Sequence, residues 1–383
     1  MTKPAFLVCF HTASNTGYAI EPLEITFFDI AGEIAGGCEL VHLGYKHYNR
    51  GKPRWADGKT DNFVVVDYHD TSKDSLDAIA EYIREKNIRT VLAFDLGVGA
   101  AVIKAFRSGG ATHLISYYGA PMSSINSGIK LLFKRIQVSL IKNKPDHFIF
   151  ESYGMQRTAT HGRGIKATHT SVVHLGIDVD SNTAYKDKCY VYTAMNIPVE
   201  RKIIFYAGHM EERKGVHVII NAAAEIINKM HCSDSHFLIC GNREGEQLVF
   251  DKLYKGTEAE NFITFAGYRD DIPQLMPGCY AGVIASTGWD SFPRSSLEMA
   301  AAGLPLLVSD LAGINETVEP GVTGLLFKPG DHIDLADKLI YLLSKPDARE
   351  QLSNASVKRV HDNFTLDIQK RNLRRVIESV VKS

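Results

Sequence analysis

Twice along this chain, short continuous apolar runs alternate with longer stretches of helical periodicity. That alternation limits the fold more than any single motif does. An unbroken apolar run of about four to eight residues reads as a strand buried on both faces. Such strands belong to a parallel sheet covered by helices on each side. The first series predicts strands at 5–10, 39–43, 63–66, 90–94, 113–117 and 147–150, with helices near 21–34, 75–86, 99–106 and 126–142. The second predicts strands at 202–207, 236–240, 262–266, 281–285 and 305–308, with helices over 216–229 and 244–255. At 383 residues the chain exceeds one ordinary core. Its composition turns polar between Asp178 and Tyr190, which sets the expected domains at 1–178 and 179–364, with an amphipathic segment 365–383. The expected architecture is α/β: two Rossmann-like, doubly wound parallel-sheet domains facing across a cleft.

The stretch Gly288-Trp289-Asp290-Ser291-Phe292-Pro293-Arg294-Ser295-Ser296-Leu297-Glu298 carries the most chemistry. It predicts a loop leading into a helix, with Pro293 in the first turn and Gly303 in the left-handed position past the end. Amides at the start of a helix favour an anion, and the carboxylates Asp290 and Glu298 favour hydroxyls. A ligand with both phosphate and hydroxyls fits, and a nucleotide sugar is one. In the turn after the strand at 202–207, Arg213-Lys214-Gly215 precedes a helix. Arg as a planar fork and Lys as a point charge suit a diphosphate, although exposed Arg-Lys pairs are usually only solvated.

In the first half, the loop His11-Thr12-Ala13-Ser14-Asn15-Thr16-Gly17-Tyr18 follows the first strand, at the edge where ligands bind in open α/β sheets. Gly17 lets backbone approach a phosphate, or is an ordinary turn glycine; Asn15 is an acceptor-side candidate. Gly97-Val98-Gly99 lacks the third glycine of a dinucleotide fingerprint and reads as helix packing on a strand. The segment 129–142 interleaves Lys130, Lys134, Arg135 and Lys142 with Leu131, Leu132, Phe133, Ile136, Val138, Leu140 and Ile141. The first reading is a solvated face over a core stripe; the second is peripheral contact with an anionic membrane or a phosphorylated acceptor. Arg50 to Trp55 reads as a surface loop or a mobile acceptor loop.

Composition narrows the function classes. Lys and Arg number 43 against 44 Asp and Glu, so no global field attracts nucleic acid. No apolar run approaches a membrane span, and Met1-Thr2-Lys3-Pro4 with the short run to Phe10 lacks the form of a signal peptide. The expectation is a cytoplasmic protein, peripheral at most at the inner face of the membrane. Six cysteines without a C-x-x-C read as buried, reduced thiols.

Taken together, these residues resemble the retaining, nucleotide-sugar-dependent glycosyltransferases of the GT-B fold, the group 1 transferases. Arg213-Lys214-Gly215 is similar to the family's K-G turn, Phe265-Ala266-Gly267-Tyr268 to its nucleobase-side turn and Asp290 to Glu298 to its acidic-x7-Glu motif. Gly303-Leu304-Pro305 resembles its G-x-P turn, and Glu316-Thr317-Val318 with Gly321-Val322-Thr323-Gly324 its closing elements. In the first half the match rests on Glu151-Ser152 and on His174-Leu175-Gly176-Ile177-Asp178. The resemblance implies a donor site mostly in the second half and an acceptor site mostly in the first. It implies that Arg213 and Lys214 neutralise the diphosphate, and that Glu298 binds the ribose. Asp290, with backbone amides of Ser291, Phe292 and Arg294, orients the sugar, while Gly267, Tyr268 and Arg269 flank the base. It implies a last helix that crosses back to the first domain. No metal or resident cofactor is expected; a nucleoside-diphosphate sugar is the donor substrate, and the acceptor is a glycan, a lipid-linked or a small molecule.

Three departures stand out. Asp290 replaces the usual Glu, His209 stands where many members carry arginine, and Tyr118-Gly119 stands where His-Gly is expected. They keep two alternatives open beside a transferase of bacterial-type glycan biosynthesis: a nucleotide-sugar-binding partner subunit that has lost transfer, and a phosphorylase on the same fold.

Overall fold

The computed structural model describes residues 3–17 and 20–382; Tyr18 of the first loop lies outside them. The chain forms two compact units, Met1–His174 with Gln369–Ser383, and Leu175–Ile368.

The first unit is built on seven strands: β1 Ala5–Phe10, β2 Val41–Tyr45, β3 Phe63–Val65, β4 Ile88–Phe94, β5 His113–Tyr118, β6 His147–Phe150 and β7 Thr170–Val172. They pair in parallel in the order β3-β2-β1-β4-β5-β6-β7. All six residues of β1 are buried, which is what a central parallel strand requires. Helices α1 Glu21–Ala35, α2 Lys73–Glu85, α3 Ala101–Gly109 and α4 Gly128–Leu140 follow β1, β3, β4 and β5. Phe10 is in register with both Tyr45 and Phe94, and Phe94 with Tyr117. The residues that follow, His11, Asp95 and Tyr118, therefore share one sheet edge.

The second unit holds six parallel strands: β8 Lys202–Ala207, β9 Ser235–Cys240, β10 Ile263–Phe265, β11 Ala281–Ile284, β12 Leu306–Ser309 and β13 Gly324–Phe327. Their order is β10-β9-β8-β11-β12-β13. Its helices include α5 Val216–Ala224, α6 Arg294–Ala301, α7 His332–Ser344 and α8 Pro346–Asn363, and α9 Leu366–Val381 ends the chain. Two apolar clusters cover the sheet, one holding Ile219, Ile239 and Leu339, the other Phe205, Leu297 and Val308.

Several elements differ from the sequence expectation. β2 starts at Val41 because Cys38–Leu40 forms a 3-10 turn. The helix expected over 244–255 is broken into a 3-10 turn Glu246–Phe250 and a short helix Asp251–Tyr254. Gly245 precedes it at φ +85°, and Phe250 and Tyr254 are the residues this segment buries. Pro293 lies just outside α6, as its cap. β13, α7 and α8 have no counterpart in the predicted elements. Cys9, Cys240 and Cys279 are buried free thiols, whereas Cys38 and Cys189 are exposed.

α4 departs furthest. Only Leu131 and Val138 are buried on it, so there is no broad core stripe. Ile129, Leu132, Phe133, Ile136 and Leu140 are between 49% and 75% exposed, beside the exposed cations Lys130 and Arg135. Among the described residues no helix is long and apolar enough to cross a membrane.

Candidate functional site

In the second unit the strand order reverses between β8 and β11. In open α/β sheets ligands bind beyond the carboxyl ends of the strands at such a switch point. The loop after β8 and the loop after β11 both lie there, and they are fastened together. Thr287 and Gly288 N–H groups donate to the Arg213 carbonyl at 2.8 and 3.3 Å. Gly215, at φ +71°, is placed so that an added Cβ would sit 1.8 Å from the Ala285 carbonyl oxygen. The end of β9 joins the loop after β8, Gly208 N–H donating to the Cys240 carbonyl at 3.1 Å, and the loops after β9 and β10 are tied to each other. Gly241 donates to the Gly267 carbonyl at 2.8 Å, and Gly267 donates to Asn242 Oδ1 at 2.9 Å.

These contacts bring together side chains that are far apart in sequence. Lys214 Nζ lies 2.6 Å from Asp290 Oδ2, with the two side chains 18% and 12% exposed. Ser286 Oγ donates to the same carboxylate oxygen at 3.2 Å. A largely desolvated pair of this kind holds both partners in one geometry, and leaves a costly unpaired charge if one is removed. Arg213 pairs with Glu211 at 2.7 Å. Glu298, on the first turns of α6, is 7% exposed and accepts from Arg294 Nε at 2.9 Å. Tyr206 lies under this group, its hydroxyl donating to the His209 carbonyl at 2.9 Å. Burial first, then the nearby Asp290 and Glu211 carboxylates, keep that phenol protonated.

The other expected donor residues take different positions. The Ser291 and Phe292 side chains are buried, Phe292 edge-on to Phe364 at 5.3 Å. Phe292 thus packs the core. Ser291 Oγ is buried without a hydrogen-bond partner among the described residues. Tyr268 is 72% exposed. Its neighbour Arg269 is held by Asp271 through two contacts of 2.6 and 2.5 Å, with Tyr190 OH donating to the same carboxylate at 2.7 Å. Glu316 falls in a 3-10 turn, Ile314–Thr317, whose Glu316 carbonyl accepts from Arg359 at 3.1 Å.

In the first unit, Asn15 is spent on the loop at 50–54. Its amide donates to the Arg50 and Lys52 carbonyls at 3.0 and 2.9 Å and accepts from Arg54 N–H at 3.1 Å. Trp55 Nε1 donates to Glu24 at 2.7 Å, so the segment Arg50 to Trp55 is a pinned loop. Gly17 is exposed, and among the described residues an added Cβ would meet nothing within 4 Å. Tyr118 is buried at the sheet edge, its phenol pushed up by burial and then by the Asp95 carboxylate. Asp95 itself was not singled out by motif. It holds the left-handed backbone region at φ +54° and accepts from Gly119 N–H at 3.0 Å. Burial raises its carboxyl to about 6, against the smaller lowering effects of the Gly119 hydrogen bond and His11. The only sequence signal was an acid ending an apolar strand. Gly97 and Gly99 lie just beyond it, Gly99 N–H donating to the Asn143 carbonyl at 2.7 Å.

Residues 193–359 match the family described as glycosyl transferases group 1. The match is to a group 1 glycosyltransferase domain, and the fold is GT-B. Over 223 residues it is 28% identical to a D-inositol 3-phosphate glycosyltransferase of Corynebacterium urealyticum, covering 56% of this chain and 53% of that protein. It is 25% identical over 187 residues to an N-acetyl-alpha-D-glucosaminyl L-malate synthase of Bacillus anthracis, covering 49% of this chain and 48% of the relative. The chain thus spans about half the length of these curated relatives. The fold likeness covers both units. A glycosyltransferase of Rickettsia africae superposes with a TM-score of 0.82 at 17% identity over all of both chains. HepE of Anabaena, solved with UDP, gives 0.77 at 18% identity over 98% of this chain and 100% of that one. The stretch that matches the group 1 family thus falls in the second unit, where Lys214, Asp290 and Glu298 lie.

Proposed function

We propose that this protein is a retaining glycosyltransferase that moves a sugar from a nucleoside-diphosphate sugar to an acceptor hydroxyl, in glycan or glycoconjugate biosynthesis. The Lys214–Asp290 pair at the switch point carries this reading. It sets a cation for the departing diphosphate directly beside a carboxylate for the sugar hydroxyls. Arg213 adds a second cation and Glu298 a carboxylate for the ribose. HepE bound to UDP and to UDP-glucose supports a nucleotide sugar as the donor.

In the proposed reaction the acceptor oxygen bonds to the anomeric carbon as the bond from that carbon to the diphosphate oxygen breaks. The acceptor proton passes to the departing phosphate oxygen, on the face where the leaving group departs. Lys214 and Arg213 stabilise the charge that grows there, which is where preset electrostatics lower a barrier. Asp290 is one methylene shorter than Glu, and Lys214 and Ser286 fix the position of its carboxylate. Gly17, which meets nothing within 4 Å of an added Cβ among the described residues, is the first-unit site proposed for close backbone approach, and Tyr118 is the proposed acceptor-side residue. The exposed apolar and basic face of α4 supports peripheral contact with an anionic membrane at its cytoplasmic side, and with it a lipid-linked acceptor.

The test is a panel of UDP-, GDP- and ADP-sugars, with nucleotide release and the anomeric configuration of the product followed together. Lys214→Ala is expected to lower turnover by about 10²- to 10³-fold, and Glu298→Ala to weaken donor binding. Binding without turnover would favour the partner-subunit reading, and phosphate-dependent release of a sugar phosphate the phosphorylase. Unchanged binding and turnover in both variants would show that the donor site lies elsewhere.

A further inference from the structure

Trp289 stands between the loop that contacts Arg213 and the carboxylate that contacts Lys214, and the donor site as described leaves it without a role. Its indole is 46% exposed, yet it is engaged. The Arg213 guanidinium carbon lies 4.3 Å from the centroid of the Trp289 ring. Arg213 Nη1 also donates to the Trp289 carbonyl at 3.0 Å. On another edge, Arg213 Nε meets Glu211 at 2.7 Å. The backbone enforces the approach. A Cβ on Gly288 would come within 2.9 Å of the Arg213 Cβ, so a glycine before Trp289 is what lets the ring close over the arginine.

A guanidinium offers five N–H donors in a rigid plane. Here the aromatic face, the Trp289 carbonyl and Glu211 fix that plane. The rest of the fork, Nη2 included, has no hydrogen-bond partner among the described residues. A long cationic side chain that is ordered before its ligand arrives avoids much of the ordering cost of binding. A cation over an aromatic face is attracted by the ring quadrupole, and stacking also sets its orientation.

We propose that Trp289 is a positioning residue of the donor site: its ring and carbonyl preset the Arg213 guanidinium for the donor's diphosphate, and Glu211 is the counter-ion that the diphosphate displaces. The proposal rests on the donor-site reading above and adds a residue outside the motif that suggested it.

The test is a double-mutant cycle on UDP affinity, measured by calorimetry for the full chain. Trp289→Ala is expected to weaken UDP about three- to tenfold, while Trp289→Phe, which keeps a ring, stays near the native value. In an Arg213→Ala background, Trp289→Ala is expected to add nothing, because the tryptophan acts through the arginine. Glu211→Gln is expected to tighten UDP, since a competing carboxylate is gone. An equal loss in the presence and absence of Arg213, or a Trp289→Ala protein that binds UDP like the native one, overturns the proposal. A native protein that binds none of UDP, GDP and ADP overturns the donor-site reading itself.

Discussion

Gly215 shows how one residue type ties two loops together. It sits at φ +71° with the Ala285 carbonyl oxygen where a side chain would begin. Left-handed backbone costs an L-residue about 1–2 kcal/mol, and the collision adds to that. Gly215→Ala is expected to destabilise the second unit by more than about 2 kcal/mol, read from its denaturant midpoint. Gly245→Ala is the control: it has similar φ, +85°, but open space around it, and should cost only the backbone term of about 1–2 kcal/mol. Asp95 makes the opposite point. Its carboxyl is raised from 3.8 to about 6 by burial, so the folded state holds its proton more tightly than the unfolded one. This group favours folding below about pH 4, and the benefit is lost as pH rises through about 6. Asp95→Asn, which keeps an oxygen for the Gly119 N–H, is expected to raise the melting temperature at pH 7.5. The gain, at most about 3 kcal/mol by the shift, should vanish at pH 4. A difference that does not change with pH would contradict the assignment.

At the scale of elements, α4 separates a pattern from its meaning. Its spacing of Leu, Phe and Ile is that of an amphipathic helix, and the usual consequence is a buried stripe. The structure buries Leu131 and Val138 and leaves five other large apolar residues in solvent. Lys130 and Arg135 stand among them, which favours an anionic surface over a purely apolar partner. Native protein is expected to sediment with vesicles of anionic phospholipid and not with neutral ones, and the binding should weaken with salt. Phe133→Asp, at an exposed position, should reduce vesicle binding more than tenfold while leaving the melting temperature unchanged. Equal binding by the variant, or a native dimer that Phe133→Asp dissociates without any vesicle binding, would rule out the membrane.

At the scale of the molecule, the last helix is the decisive segment. α9 begins at Leu366, but its residues from Gln369 onward belong to the first unit. Leu373, Ile377 and Val380 are buried there, and Lys370 and Arg374 pair with Asp29 and Glu33 of α1, both at 2.8 Å. Removing three buried aliphatic side chains costs about 1.5–3 kcal/mol each, comparable with the whole stability of a domain. A chain ending at Ile368 is therefore expected to lose or sharply lower the calorimetric transition of the first unit, while that of the second unit stays within a few degrees. Two unchanged transitions would show that the tail contributes little.

The strand series, the parallel sheets and the motif residues around Lys214, Asp290 and Glu298 were legible in the sequence. Buried parallel strands must be continuous apolar runs, and tight turns must place glycine where other residues clash. What the sequence could not show depends on pairs distant along the chain. The contact of Lys214 with Asp290 joins residues 76 apart, and local patterns carry no information about which charge meets which. Asn15 looked like a ligand residue until the fold spent it on a neighbouring loop. Asp95 and Trp289 belong to no motif, and only packing gave one its raised carboxyl and the other its arginine. The solvent exposure of α4 was settled in the same way, because periodicity defines a face and tertiary structure alone decides what covers it.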